Sequence, residues 1–345
     1  MLTNNIDPLD LVDSMLIPHT AFARGVGLVE KAIKLSNGVS QPKCVAILGP
    51  SGAGKSKMLE RCLDVYPSCR ESDGMHIPAL RLKVPAKPTV KALACAFLKA
   101  LGVSDYTRGT ETQLSYRAET LMKECKVRVI GLDDIHHFVD QSSKNVMHYA
   151  ADTLKNVVDV VKCSLILTGL PYAAQLIDLN EQLARRFMAP VHLNRFLWQV
   201  DSDRQEFIDI MDAFHAGLKS YFSMPQLRSE EMTFRFYCAS GGMIGYVSKT
   251  LEWATQTAVL EKRSKLTLKD LDTGYLEAVW KKTGSPLPKS PFSWKRIPTV
   301  TTDLLKTVQA FGEPGIPELR RRGAKARPTV ESLTNIFYAL KAVSS

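Results

Sequence analysis

The stretch Gly49-Pro50-Ser51-Gly52-Ala53-Gly54-Lys55-Ser56 decides the fold, because it fixes a ligand before anything else is read. Its spacing is G-x-x-x-x-G-K-S. The apolar run Cys44-Val45-Ala46-Ile47-Leu48 precedes it, and the helix-compatible Lys57-Met58-Leu59-Glu60-Arg61-Cys62-Leu63 follows. A buried strand, a glycine-rich turn and a helix N-terminus are what a phosphate-binding loop requires. The glycines let successive N–H groups close on phosphate oxygens, and the helix dipole adds positive potential there. The pattern assigns all eight residues to a nucleoside triphosphate. Lys55 reaches the β- and γ-phosphates, and the Ser56 hydroxyl ligates Mg²⁺.

Around this loop, five strand candidates alternate with helical patterns, which predicts a parallel sheet covered on both faces. They are residues 44–48, 77–84, 127–132, 163–168 and 190–193. In the second, Leu80, Leu82 and Val84 alternate with Arg81 and Lys83, as on an edge strand. The first and fourth are continuously apolar, as central parallel strands are. An apolar stripe of Val146, Ala150, Leu154, Val157, Val158 and Val161 marks a helix between them. After about residue 200 the strand signals stop. Residues 204–221, 229–239, 243–261 and 267–280 read as four helices. The expected organisation is an α/β nucleotide-binding domain over 1–200, a helical lid over 201–283, and a basic, proline-containing linker and tail over 284–345. Val330, Leu333, Ile336, Phe337, Leu340 and Val343 predict a short amphipathic helix near the end of that tail.

Composition narrows the class. The chain has 345 residues, 45% hydrophobic and 23% charged, which is ordinary for a globular protein. No apolar run approaches the roughly 20 residues of a membrane span. Residues 1–13 lack the basic and apolar regions of a signal peptide. Seven cysteines without a C-x-x-C pair point to reduced thiols rather than a disulfide framework or a zinc site, with Cys44, Cys95 and Cys163 in the core. The expected location is therefore the cytoplasm, as a soluble protein. The last 65 residues hold twelve Lys and Arg against four Asp and Glu, and so most of the net +10 charge. Such a tail either meets a polyanion such as nucleic acid or is kept soluble by its charge.

Four further places carry chemistry. The third strand ends in Leu132-Asp133-Asp134. Negative charge at the tip of a buried strand needs a positive partner. Asp133 is expected to hold the Mg²⁺ shell opposite Ser56, and Asp134 to activate water or else to cap the next helix. The next strand ends in Leu167-Thr168-Gly169, where the Thr168 hydroxyl can meet the attacking water or the γ-phosphate. Arg185 and Arg186 lie at a helix end. They serve phosphoryl transfer from a neighbouring subunit or pair with a nearby helix. His136 and His137, being adjacent, are expected to point apart, which argues against a shared metal.

This order of phosphate loop, acidic tip, polar tip, arginine pair and helical lid resembles the AAA+ ATPases, and within them the TniB/TnsC transposition regulators. Gly131-Leu132-Asp133-Asp134-Ile135-His136-His137-Phe138 is similar to that family's apolar-Asp-Glu-x-His-His stretch, and Gln182-Leu183-Ala184-Arg185-Arg186-Phe187 to its Gln-Leu-x-x-Arg-Phe. The resemblance covers about residues 15–280. It implies an ATP- and Mg²⁺-dependent homo-oligomer, a ring or helical filament on double-stranded DNA, that works with a transposase and a target-selection adaptor protein. It ranks Arg186 ahead of Arg185 as the finger acting on a neighbour's ATP. It also points to Lys83, Lys87, Lys91 and Lys99 for DNA contact, although a solvated helix face accounts for the same lysines.

Two departures stand out. Asp134 occupies the place of the commoner glutamate and draws the carboxylate back by one methylene, which predicts slow hydrolysis. The lid stretch 241–246 lacks a sensing arginine, and Lys249 is a poor substitute. Two rivals remain: a replication initiator or helicase loader of the same superfamily, and a P-loop signalling switch that never touches DNA. In the tail, Phe292, Trp294, Lys295 and Arg296, or Arg320-Arg321-Arg322, can grip a backbone or a partner, or belong to a disordered linker.

Overall fold

The computed structural model describes residues 7–140, 144–280, 287 and 289–310. Five strands build the main sheet: β1 (Val45–Leu48), β4 (Ala79–Lys83), β5 (Val129–Asp133), β6 (Ser164–Gly169) and β7 (Val191–His192). All pairs are parallel and the spatial order is β4-β5-β6-β1-β7. Each of the five expected strands is present. The alternating one lies at the edge, as its polar face required. A small antiparallel hairpin, β2 (Cys69–Glu71) with β3 (Gly74–His76), precedes β4. The sequence reading did not anticipate it, because three-residue strands carry almost no periodic signal.

The apolar strands serve two cores at once, because successive side chains point to opposite faces. Val45, Ile47, Val129 and Ile166 face one core, with α2 (Thr20–Leu35) and α3 (Lys55–Leu63) packed there. Cys44, Ala46, Leu48, Ile130, Leu132, Leu165 and Leu167 face the other. That second core is closed by α4 (Val90–Ala100), α5 (Glu111–Glu124), α6 (His136–Asp140), α7 (Lys144–Val161), α8 (Gln175–Asp178) and α9 (Glu181–Ala184). In α7 the predicted stripe is buried at Ala150, Leu154, Val157, Val158 and Val161, and Met147 and Ala151 join it.

The helical unit follows with α10 (Asp201–Leu218), α11 (Glu230–Ser240), α12 (Ile244–Leu260) and α13 (Leu268–Tyr275), close to the four expected spans. Its aromatic centre of Trp198, Phe207, Phe234 and Tyr237 belongs to the same core as α2 and α3. A first short helix, α1 (Leu11–Ser14), packs on α12, and Gln256 Nε2 donates to the Leu9 carbonyl at 3.0 Å. The first residues therefore dock on the helical unit as well as on the α/β domain. All seven cysteines are free. Among the described residues no helix is long and apolar enough to cross a membrane.

The expected boundary at residue 284 needs correction. Leu287, Ser290, Pro291 and Phe292 are buried. Phe292 packs edge-on against Phe236, with ring centroids 4.9 Å apart, so it cannot reach a partner. Arg235, only 2% exposed, donates to the carbonyls of Pro291 and Trp294 and to the Glu231 carboxylate. Helix α14 (Thr302–Gln309) continues the strap, and Gln309 Nε2 donates to the Tyr237 hydroxyl at 3.0 Å. Proline density signalled a break in helix, but an extended strap accepts proline because its bonds come from a side chain. The Arg320–Arg322 cluster and the 330–343 helix lie outside the described residues.

Removing the Arg235 guanidinium leaves two carbonyls without donors, at about 1.5–3 kcal/mol for a hydrogen bond to a charged group. Arg235→Ala is expected to lower unfolding stability by about 3 kcal/mol. The strap around Phe292 should also become open to limited proteolysis. A denaturant midpoint unchanged from the parent would contradict this account.

Candidate nucleotide-binding site

Residues 49–56 leave the C-terminal end of β1 and turn into α3. Two glycines are geometrically required. A Cβ on Gly49 would stand 2.1 Å from the Leu193 carbonyl oxygen, and Gly54, the N-cap of α3, sits at φ +92°. The loop is clamped from outside: Gly49 N–H donates to the Gly169 carbonyl at 3.1 Å, and Gly245 N–H from the helical unit donates to the Gly52 carbonyl at 2.8 Å. Lys55 opens α3 and is 8% exposed, its Nζ donating to the Pro50 carbonyl at 2.7 Å. Burial holds this ammonium below the ordinary lysine range, opposed by the negative charge of Asp133 and Asp134. Pro50, Ser51, Ala53 and Ser56 complete the loop, and Ala53 is buried.

Strand β6 lies between β1 and β5, and so Thr168 stands beside both the loop strand and the acidic tip. Asp133 is fully buried. Its Oδ1 accepts the Thr168 hydroxyl proton and the Asp134 N–H, the latter at 3.0 Å. Its Oδ2 is buried and has no protein partner. A buried carboxylate oxygen left so is suited to a cation, which fits the expectation that Asp133 shares Mg²⁺ with Ser56. Thr168, also fully buried, spends its proton on Asp133. It therefore positions the Asp133 carboxylate.

Asp134 takes the left-handed conformation, φ +61°, which aspartate tolerates better than most side chains. Its carboxylate makes no capping bond. Instead it stands 3.9 Å from Lys83 Nζ and 4.0 Å from His136 Nδ1. Lys83 therefore belongs to the nucleotide end of the sheet. Lys87, Lys91 and Lys99 are exposed, with Lys99 Nζ 5.9 Å from the centre of the Tyr106 ring. His136 and His137 do not diverge as expected: their ring centroids are 4.5 Å apart, and with Asp140 they gather donor atoms within 4.8 Å of one another. The first turn of α6 turns both rings to the same side. Burial and the neighbouring His137 keep the His136 imidazole below its ordinary range.

The two arginines lie at the opposite end of the sheet. The Arg186 carbonyl accepts from Cys44 N–H at 2.9 Å, where β1 begins. Its side chain is 15% exposed and pairs with Asp159 on α7, the neighbouring-helix alternative named above. Arg185 is 74% exposed and pairs only along its own turn, with Glu181. Neither arginine can reach the loop of its own chain.

One part of the site escaped the sequence reading. A cavity of about 240 Å³ opens beside Ala53, Gly54 and Lys57. Its other walls are Val12, Ile17, His19 and Phe22 from the N-terminal segment, and Ile244, Ser248 and Lys249 from α12. No local motif announces it, because three distant stretches supply the walls. Lys249, read above as a poor substitute for a lid arginine, does face this cavity, with Nζ 5.6 Å from the centre of the Tyr246 ring.

Residues 13–198, more than half of the chain, match the sequence model of the family described as bacterial TniB protein. The chain belongs to the TniB family. No curated protein sequence matches it. Among solved structures, this TniB-family chain is similar to the Aeropyrum pernix ORC1 protein in complex with DNA, at TM-score 0.55 and 12% identity, covering 78% of this chain and 69% of that one. It is also similar to Cdc6p from Pyrobaculum aerophilum, at TM-score 0.54 and 13% identity, covering 79% and 71%. The Aeropyrum pernix ORC2 protein, solved as ADPNP-ADP complexes, gives TM-score 0.53 at 12% identity, covering 78% and 71%. At such identities the likeness speaks for the fold, which is that of a P-loop ATPase.

Thr168→Val deletes a bond to a buried carboxylate and leaves more of it bare. The expected cost is about 1–3 kcal/mol in unfolding stability without nucleotide. In an Asp133→Asn background the same substitution should cost measurably less, since no charge then needs the hydroxyl. Equal costs in both backgrounds would mean that the two side chains are not coupled.

Proposed function

We propose that this TniB-family ATPase binds ATP and Mg²⁺ in the loop site, assembles as a homo-oligomer on double-stranded DNA, and in that state engages a transposase, with a target-selection adaptor. The observation that carries the assembly is the position of the arginines. The loop and Asp133 are at one end of the sheet, whereas Arg185 and Arg186 are at the other. An arginine that neutralises transferring phosphate must then come from another copy of the chain. The role in transposition rests on the family.

In this reading the loop amides and Lys55 hold the phosphates, and the cavity between the N-terminal segment and α12 takes the base. Ser56 and Asp133 hold the ion, whose chemistry when bound is to neutralise charge on the phosphate oxygens. Asp134 orients the attacking water, with Lys83 and His136 as its neighbours. Its short side chain reaches less far than glutamate would, so turnover stays below roughly 10 s⁻¹, the median of ordinary enzymes. Exposed Lys87, Lys91 and Lys99 are available to DNA phosphates, which would give salt-dependent, sequence-indifferent binding. A replication-initiator role has the Orc and Cdc6 fold likeness in its favour, and that likeness is to the fold alone.

Electron microscopy with a non-hydrolysable ATP analogue and duplex DNA tests the assembly. Rings or filaments are expected for the parent chain and none for Lys55→Ala. A parent chain that stays monomeric at low salt would remove the proposal.

Steady-state hydrolysis separates the arginines. Arg185→Ala should leave thermal stability intact while reducing DNA-bound turnover by about 10³-fold, the lower end of what such arginines contribute. Arg186→Ala should lower stability as well, because it abandons Asp159. Full activity in Arg185→Ala would return the finger role to Arg186.

A further inference from the structure

The hairpin β2–β3 places a second group of donors at the end of the sheet opposite the glycine-rich loop. Its register sets Cys69 opposite His76, and alternation puts Glu71 on the same face as Cys69. Gly74, opposite Glu71, adds no side chain to that face. The Cys69 Sγ–H points to Glu71 Oε1 at 3.8 Å, and His76 Nδ1 is 3.0 Å from that same oxygen. The other ring nitrogen, Nε2, is 2.8 Å from Asp73 Oδ1, and Lys126 Nζ holds the second Asp73 oxygen at 2.6 Å.

His76 is 7% exposed, and its Nε2 is buried without an aligned hydrogen bond. A neutral imidazole carries only one N–H. One of its nitrogens would then set a lone pair against a carboxylate oxygen at 3.0 Å or less. A cation on the ring resolves this conflict. A proton would do so, but it leaves the adjacent thiol without a part. A zinc-class ion uses all three donors.

We propose that Cys69 Sγ, Glu71 and His76 Nδ1 form a binding site for a divalent transition-metal ion of the zinc class. Tetrahedral bonds of about 2.0–2.3 Å set neighbouring donor atoms about 3.3–3.6 Å apart, inside the range of separations found here. Thiolate with imidazole selects zinc-class ions over Mg²⁺, so the site is chemically separate from that of Ser56 and Asp133. Binding through Nδ1 fixes the ring proton on Nε2, which stands 2.8 Å from Asp73 Oδ1, while Lys126 holds the other Asp73 oxygen. That is the usual outer carboxylate of a metal-bound histidine.

The consequence is mechanical. Directly after β3, Ile77 N–H donates to the Cys125 carbonyl at the end of α5, at 2.8 Å. The ion therefore clamps the hairpin where it joins the sheet edge, at the end opposite the phosphate loop.

Full-length protein titrated with Co²⁺ should show a thiolate-to-cobalt charge-transfer band that Zn²⁺ abolishes and excess Mg²⁺ does not. Cys69→Ser, at an exposed position that cannot unsettle the core, should remove the band. Asp73→Asn should weaken binding by about 10–100-fold. Hydrogen exchange of residues 69–77 should slow on adding Zn²⁺ to the parent and not to Cys69→Ser. A band that survives Cys69→Ser overturns the proposal, as does no band at all. Exchange in the hairpin that responds to acidification but not to Zn²⁺ overturns it too, assigning the ring's cation to a proton.

Discussion

A carboxylate with no access to water is the constraint on which the rest of this structure depends. Charge at that depth costs several kcal/mol unless it is bonded and neutralised. Asp133 meets the requirement in stages. The Thr168 hydroxyl and the Asp134 amide satisfy Oδ1, Lys55 supplies positive charge nearby, and Oδ2 has no protein partner. Each stage draws on a different strand or loop. The hydroxyl is in place only because β6 is inserted between the loop strand and the acidic strand. Strand order is thus tied to the chemistry of one side chain.

The helical unit is tied to the same point by its backbone. Gly245 donates to the Gly52 carbonyl, which joins the start of α12 to the loop. Behind it, the aromatic core of Trp198, Phe207 and Tyr237 continues into the face of the sheet that carries α3. The N-terminal segment and the strap around Phe292 pack on this unit from outside. The glycine-rich loop, the helical unit and both ends of the described chain therefore form one connected body. The arginines stand apart from it, at the far end of the sheet.

Much of this was legible in the residues. The loop needs glycine at fixed places, and a buried parallel strand needs an unbroken apolar run. Both demands are local, so Gly49 to Ser56 and Cys44 to Leu48 announce themselves. Leu80, Leu82 and Val84 alternating with Arg81 and Lys83 gave away the edge for the same reason. The four helices after residue 200 were visible because an amphipathic period persists over many turns. By contrast, residues 287–309 looked like a linker, since proline and glycine report the absence of helix and say nothing of what Arg235 can hold. The His136–His137 pair was misjudged because adjacency in sequence does not fix direction at the first turn of a helix.

By itself, then, the sequence determined the ligand class, the strand set and the helical unit, all consequences of spacing along a short stretch. Only the tertiary structure decided what Thr168 bonds, which arginine is exposed, how three distant segments enclose a cavity, and that Cys69 and His76 face each other. Those outcomes depend on distances between residues far apart in the chain. Packing and hydrogen-bond competition set such distances, and no local pattern encodes them.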